Sequence, residues 1–295
     1  MERILISGGT GLVGKKLSSI LVSKGYDVRH LSRNKKPSSN YKTFLWNIDE
    51  KFIDEQAFEG VDYIIHLAGA GIADKRWTDP RKQIIINSRV QSTKLLLQTV
   101  RKLKTPIKAF ISSSAIGYYG SVTGNDIFEE TAQSANDFLG EVCKLWEESI
   151  FEFEKEGIRT VALRTGIVLS NSGGALKKMK TPIITPLGNG KQYMPWIHID
   201  DLCNIFIKAI EDTSMQGVYN GVSPEHITNK SFSKILAKSI KRPFIPIGVP
   251  TFILKLVFGE MATILLNGSR VSAEKVEQEG FKFQFKTLNK ALFSF

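Results

Sequence analysis

Only two of the 295 residues are cysteine, Cys143 and Cys203, and each falls inside a segment with helical periodicity. Two thiols so placed exclude a disulfide framework and a thiolate metal site. No apolar run is long enough to span a bilayer, because the most apolar late stretch, 252–266, is interrupted by Lys255, Gly259 and Glu260. The chain enters a strand pattern at once, without the charged and apolar regions of a signal peptide, so a cytoplasmic protein with no membrane partner is expected. Repeats, low-complexity linkers, arginine-rich tails and aromatic-interleaved basic motifs are all missing. The formal net charge of +11 and the pI near 9.5 therefore read as a solvated basic surface suited to phosphorylated small molecules, with no nucleic-acid partner. The densest basic cluster is Lys177-Lys178-Lys180.

Two further absences bear on chemistry. Between Leu31 and Phe44 there is no Asp or Glu, and between Tyr119 and Tyr193 there is no tyrosine. The first removes the acidic residue that an NAD site places on the ribose 2′-hydroxyl. What stands there instead is Ser32-Arg33, a hydroxyl and a guanidinium suited to a 2′-phosphate, which points to NADP(H) over NAD(H). A solvent-facing basic loop is the alternative reading.

What is present is organised around the first fourteen residues. Arg3-Ile4-Leu5-Ile6-Ser7 is an apolar run such as a strand buried on both faces would show, and it opens into Gly8-Gly9-Thr10-Gly11-Leu12-Val13-Gly14. Glycines 9, 11 and 14 satisfy G-x-G-x-x-G, and glycines 8, 11 and 14 the looser spacing. Glycines at such a turn admit a pyrophosphate to the amides of a helix N-terminus. Helical spacing over 15–24, with Gly25 as the cap, and a second strand over 26–31 complete a β-α-β context. Alone, the glycines could serve chain geometry only.

Further along, a third strand is expected at 43–46. A buried strand at 61–67 exits through Leu67-Ala68-Gly69, small residues that leave space at the crevice of a parallel sheet. His66 within it reads as a satisfied core histidine. Asp79-Pro80 starts a long helix to about Lys104 that carries Arg89. Ala109 to Ala115 is the fifth strand, whose hydroxyl run Ser112-Ser113-Ser114 reads as active-site lining, and Ile116-Gly117-Tyr118-Tyr119-Gly120 follows it. A helix over 137–155 and a sixth strand over 159–164 extend the alternation, which implies right-handed β-α-β units. Asp200 or Asp201 is a natural N-cap of the next helix. A single apolar helix is expected at 252–266.

The expected fold is α/β, a Rossmann-like doubly wound parallel sheet with a smaller C-terminal substrate-binding region. Its core is 1–165, with 196–222 returning to it, and 166–195 and 223–295 form the C-terminal region.

These residues together resemble the extended and atypical short-chain dehydrogenase/reductase superfamily, and within it the YfcH-type epimerase-family proteins. The marks are Ser32-Arg33, His-Leu-Ala-Gly at 66–69, Lys-Arg-Trp at 75–77, Asn-Ser-Arg at 87–89 and Gly-Tyr-Tyr-Gly at 117–120. Later come Leu-Arg-Thr-Gly-Ile-Val-Leu at 163–169, Trp-Ile-His-Ile-Asp-Asp-Leu at 196–202, Gly-Glu-Met-Ala at 259–262 and Gly-Phe-Lys-Phe at 280–283. The resemblance implies NADP(H) in the core. Gly8, Thr10, Gly11, Leu12, Val13 and Gly14 would hold it, with Ser32 and Arg33 at the 2′-phosphate and Leu67, Ala68 and Gly69 on the adenosine side. Arg89 and Arg164 would reach phosphate or ribose. It also implies a catalytic Ser, matched by Ser114, and a Tyr-x-x-x-Lys. Lys144 matches the lysine in both its catalytic and cofactor roles, but the position four before it is Gly140. Tyr118 or Tyr119 then either supplies the proton or stacks on substrate or nicotinamide.

Two functions stay open on this reading. One is an NADP(H)-dependent oxidoreductase or epimerase acting on a small polar, sugar-nucleotide-like substrate. The other is a sensor or partner-binding protein that keeps the cofactor site without turnover, and in both cases the chain is a monomer or homodimer.

Overall fold

The computed structural model describes residues 1–34, 40–120 and 122–295. The first half runs β1 (Arg3–Ser7), α1 (Leu12–Ser23), β2 (Asp27–Ser32), β3 (Lys42–Asn47), β4 (Phe52–Ile53), β5 (Tyr63–His66), α2 (Asp79–Leu103), β6 (Ala109–Ala115), β7 (Ile127–Phe128) and α3 (Phe138–Phe151). It continues with β8 (Arg159–Thr165), β9 (Ile167–Leu169), α4 (Gly174–Met179), β10 (Trp196–His198), α5 (Ile199–Glu211) and β11 (Gly217–Gly221). The last part holds α6 (Asn229–Ser239), α7 (Thr251–Phe258), α8 (Thr263–Leu266), β12 (Arg270–Val271), α9 (Glu274–Gln278) and α10 (Leu288–Leu292).

Eight strands form one sheet in the order β11-β8-β6-β5-β1-β2-β3-β4. All pair in parallel except β4, an antiparallel edge strand that periodicity over two residues could not announce. The strand order reverses beside β1, so the loops after β1 and β5 meet at a switch point, where sheets of this kind open a crevice. Strands buried on both faces carry continuous apolar runs, and Ile4, Leu5, Ile6, Ile64 and Ile65 are each 0% exposed. One face packs on Leu17, Leu21, Leu202 and Phe206 of α1 and α5, and the other on Leu96, Val100, Trp146 and Ile150 of α2 and α3. A separate apolar cluster joins Leu169 and Trp196 to Phe232, Leu236, Leu288 and Leu292 around the two-stranded pair of β9 and β10.

Three local expectations are corrected. The N-cap of α2 is Thr78, whose hydroxyl accepts from Arg81 N at 3.4 Å, and Asp79 is already in the first turn. The N-cap of α5 is His198, whose Nδ1 accepts from Asp200 N at 3.2 Å. Asp201 is fully buried and instead accepts from the backbone of Gln284 at 2.8 Å and Phe285 at 3.0 Å. The apolar stretch 252–266 is not one helix: α7 ends at Gly259, whose φ of +61° only glycine adopts easily, and a 3₁₀ turn separates it from α8.

Candidate functional site

The turn after β1 is shaped by close approaches that side chains would block. A Cβ on Gly8, whose φ is +74°, would stand 2.8 Å from the Leu67 carbonyl carbon, so the two loops at the switch point touch through backbone. A Cβ on Gly14 would meet Gly9 Cα at 2.7 Å and the Gly8 carbonyl oxygen closer still. Gly11 N donates to Gly8 O at 2.9 Å, and Gly11 caps α1 without a side-chain hydrogen bond. No acidic residue lies in the first turn of α1. The result is a helix N-terminus with open amides beside a strand end, the arrangement that takes a pyrophosphate. These residues fit a dinucleotide.

At the end of β2, Ser32 is half-buried, its Oγ accepting from Asn34 N at 3.3 Å, and Arg33 is exposed. Lys35 and Lys36, which continue the basic stretch, lie outside the described residues. At the exit of β5, Leu67 and Ala68 are half-buried and Gly69 exposed. Arg89 braces this exit from beneath: its Nη1 donates to Ala70 O at 3.1 Å and Ile85 O at 3.0 Å, and its guanidinium carbon lies 5.1 Å from the Trp146 ring.

Two histidines lie under the cradle. His66 bonds Ser7 Oγ through Nδ1 at 2.5 Å and Ser92 Oγ through Nε2 at 3.0 Å, and burial lowers its pKa to about 3. His30 sits beneath Gly9 with Nε2 at 2.8 Å from Ser18 Oγ, and burial lowers it to about 4. Both are neutral in the fold and take a proton only when the chain unfolds, so their contribution is complete above pH 6.5 and is lost as pH falls below it. Each lowers stability by about 2 kcal/mol at pH 5. Urea unfolding at pH 7 and pH 5 should show a drop about 2 kcal/mol larger for the parent chain than for His66→Asn; equal drops would contradict the assignment.

The exit of β6 is a buried network. Arg164, 3% exposed at its side chain, donates Nε and Nη2 to the two oxygens of Glu147, each at 2.8 Å. Its Nη1 donates to Tyr119 Oη at 2.9 Å and Glu130 O at 3.1 Å, and the Tyr118 ring covers its guanidinium at 3.4 Å. Ser114, 2% exposed, donates to Glu147 at 2.6 Å, and Tyr119, 1% exposed, donates to Asn220 Oδ1 at 2.7 Å. Burial, against the pull of Arg164, pushes the Tyr119 phenol up to about 12.

Several expected roles change here. Every guanidinium nitrogen of Arg164, expected at phosphate or ribose, is engaged within the protein. Tyr119 is locked in the same network and faces no crevice. Lys144 is exposed and lies outside the row of α3 residues that faces the β6 exit. The side that faces this exit carries Leu139, Cys143 and Glu147, four apart: a Cβ on Gly117 would meet Leu139 Cβ at 3.3 Å and Cys143 Sγ at 3.5 Å. That row holds neither tyrosine nor lysine. Burial pushes the Cys143 thiol up to about 12, which keeps it protonated. Of the hydroxyls expected here, Ser113 and Tyr118 are half-buried without a place in the Glu147 hydrogen-bond network, and the Tyr118 ring lies over Arg164.

Glu147 was not among the expected site residues. The signal was Arg164 itself, since an arginine inside an apolar strand calls for a buried carboxylate.

Comparison with known proteins agrees with this geometry. The model of the NAD dependent epimerase/dehydratase family matches residues 4–220, and a domain of unknown function, DUF1731, matches 249–294. Epimerase family protein YfhF of Bacillus subtilis is 34% identical over 295 residues, spanning 98% of this chain and 96% of its own. The crystal structure of human epimerase family protein SDR39U1 with NADPH superposes with a TM-score of 0.88 at 30% identity, covering 99% of this chain and 98% of that one. Thermus thermophilus UDP-glucose 4-epimerase, solved with NAD, has a TM-score of 0.77 at 17% identity over 99% of this chain and 96% of that one, and shares the fold alone. Glycine cradle, strand order and matched span converge, and the chain belongs to the NAD-dependent epimerase/dehydratase family, with the DUF1731 domain behind it.

Proposed function

We propose that the chain is an NADP(H)-binding oxidoreductase or epimerase of the YfcH type that its sequence resembles. The observation that carries this reading is the cradle at the switch point, where Gly8 lies against Leu67 and Gly14 against Gly9. The nicotinamide cofactor supplies the hydride chemistry when bound. Gly8, Thr10, Gly11, Leu12, Val13 and Gly14 present backbone to its pyrophosphate, and Leu67, Ala68 and Gly69 line the adenosine side, with Arg89 holding that loop in place.

Preference for NADP(H) rests on Ser32 and Arg33 and on the lack of any carboxylate in that stretch. The relative solved with NADPH supports it, while more distant proteins of the fold were solved with NAD. Arg33→Asp should reduce the preference for NADPH over NADH by about tenfold to a hundredfold, as loss of a charge-assisted contact implies. Fluorescence titration with both cofactors measures it, and an unchanged ratio would remove the 2′-phosphate assignment.

At the β6 exit, Tyr118 is the phenol left to meet a substrate oxygen, because Ser114 and Tyr119 are held by Glu147, Arg164 and Asn220, while Ser113 offers only an alkyl hydroxyl. Hydride exchange between NADPH and a panel of carbonyl compounds and sugar nucleotides tests turnover, with Tyr118→Phe as the variant that abolishes it. The second reading, a cofactor-binding sensor without turnover, is favoured by one feature: the inward row Leu139, Cys143, Glu147 offers no proton donor of the usual kind. Tight NADPH binding with no exchange on that panel decides for the sensor.

A further inference from the structure

Lysine and arginine are scattered along the chain, but the carboxylates are not. Residues 166–199 hold Lys177, Lys178, Lys180 and Lys191 and no Asp or Glu. Residues 226–259 hold Lys230, Lys234, Lys238, Lys241, Arg242 and Lys255, again with no Asp or Glu. These ten cations account for nearly all of the formal +11.

The fold joins the two segments. Ile184 bridges Phe244 and Leu187 bridges Val249 in parallel, Tyr193 bridges Thr228, and Lys230 N donates to Gly190 O at 2.9 Å. All ten cationic side chains are exposed, and among the described residues none enters an ion pair.

The same region exposes apolar surface. On α7, Phe252, Ile253, Leu256 and Val257 are 70%, 39%, 75% and 55% exposed, and helical spacing puts them on one face opposite the buried Leu254. Ile183, Ile245 and Ile247 are exposed on the paired stretches that lead into this helix. The helix is held outward: Arg76 donates to the carbonyls of Val257 and Leu256, and Lys82 pairs with Glu260 at 2.7 Å.

We propose that this face docks on an anionic bilayer surface, the apolar side of α7 entering the headgroup boundary while the surrounding cations lie over lipid phosphates. A short helix with aliphatic residues on one face, set among unpaired cations, has the composition of an interfacial anchor. A second copy fits poorly, because a two-fold contact would set like charges against each other. Nucleic acid fits poorly too, since Phe252 is the one aromatic among these exposed apolar residues and Ile, Leu and Val do not stack on bases. The docked face adjoins the loop after β5, so binding would set the cofactor crevice close to the lipid. The proposal departs from the expectation of no membrane partner, which rested on the spread of lysine and arginine along the chain.

Co-sedimentation of the full chain with phosphatidylcholine vesicles, with and without a quarter phosphatidylglycerol, tests it. Retention on the anionic vesicles alone, weakened by high salt, is expected. Lys241→Glu/Arg242→Glu should weaken it by at least about 25-fold, since each surface cation contributes about fivefold. Phe252→Ser/Leu256→Ser should weaken it by about tenfold or more through lost apolar burial. These residues are exposed, and an unchanged melting temperature will show that the variants fold. No retention on anionic vesicles, or retention that both variants leave unchanged, overturns the proposal. So does a concentration-dependent dimer, or retention on RNA, in place of vesicle binding.

Discussion

Arg164→Leu is expected to lower the unfolding free energy by about 3–5 kcal/mol, the range for removing one partner of a buried ion pair. The substitution leaves Glu147 buried without its cation, deprives Tyr119 of a donor and uncovers the face of the Tyr118 ring. The magnitude comes from burial rather than from the bond lengths. Lys102 and Glu55 make a shorter pair, at 2.5 Å against 2.8 Å, but at 69% and 46% side-chain exposure their link is worth about 0–1 kcal/mol. A double variant, Arg164→Met with Glu147→Leu, should recover much of the loss, because matched apolar groups leave no unpaired charge. Urea unfolding of the single and double variants measures both. If the double variant folds well yet loses NADPH affinity a hundredfold, Arg164 reaches cofactor after all and the internal network is not its main role.

Gly14→Ala should weaken NADPH binding by at least about a hundredfold, the scale of effect that a displacement of about 1 Å has on a positioned site. On propensity alone the change would favour α1 by about 1 kcal/mol. Sterics decides the outcome, because the new Cβ meets the backbone of Gly8 and Gly9, which cannot rotate away as a side chain could. Either the turn opens or α1 shifts, and both displace the amides that face the pyrophosphate. Gly124→Ala is the control: nothing stands within 4 Å of its Cβ and no positive φ is involved. Calorimetric titration of both variants with NADPH should separate them clearly, and equal affinities would mean that the cradle does not bind the cofactor.

The first fourteen residues were legible in the sequence because everything that shapes them is local: an apolar run, glycines at fixed offsets and a capped helix. The doubly wound parallel sheet followed from the alternation of strands and helices. The β6 exit was legible in location but not in orientation. Four residues after Gly140, Lys144 fits a spacing rule, yet the helix turns Leu139, Cys143 and Glu147 toward the strand end and Lys144 toward solvent. Rotation of a helix about its axis is set by what it packs against, and spacing alone leaves it free. Asp201 was misplaced for a related reason, since its partners lie more than eighty residues away in sequence and a nearby cap is the simpler local use for a carboxylate. The 252–266 stretch reads as one apolar helix from composition, but Gly259 breaks it and its apolar face stays open.

Asp201 carries one more consequence. Its carboxylate is fully buried within α5, against the main sheet, and its two hydrogen bonds come from Gln284 and Phe285 near the end of the chain. Asn220 of β11 likewise donates through Nδ2 to Ser272 O at 3.1 Å. A chain that stopped after β11 would remove both hydrogen-bond donors of the Asp201 carboxylate and the acceptor of Asn220 Nδ2. Residues 222–295 are therefore part of the folding unit, and the protein should melt in one cooperative step rather than shed its C-terminal part first.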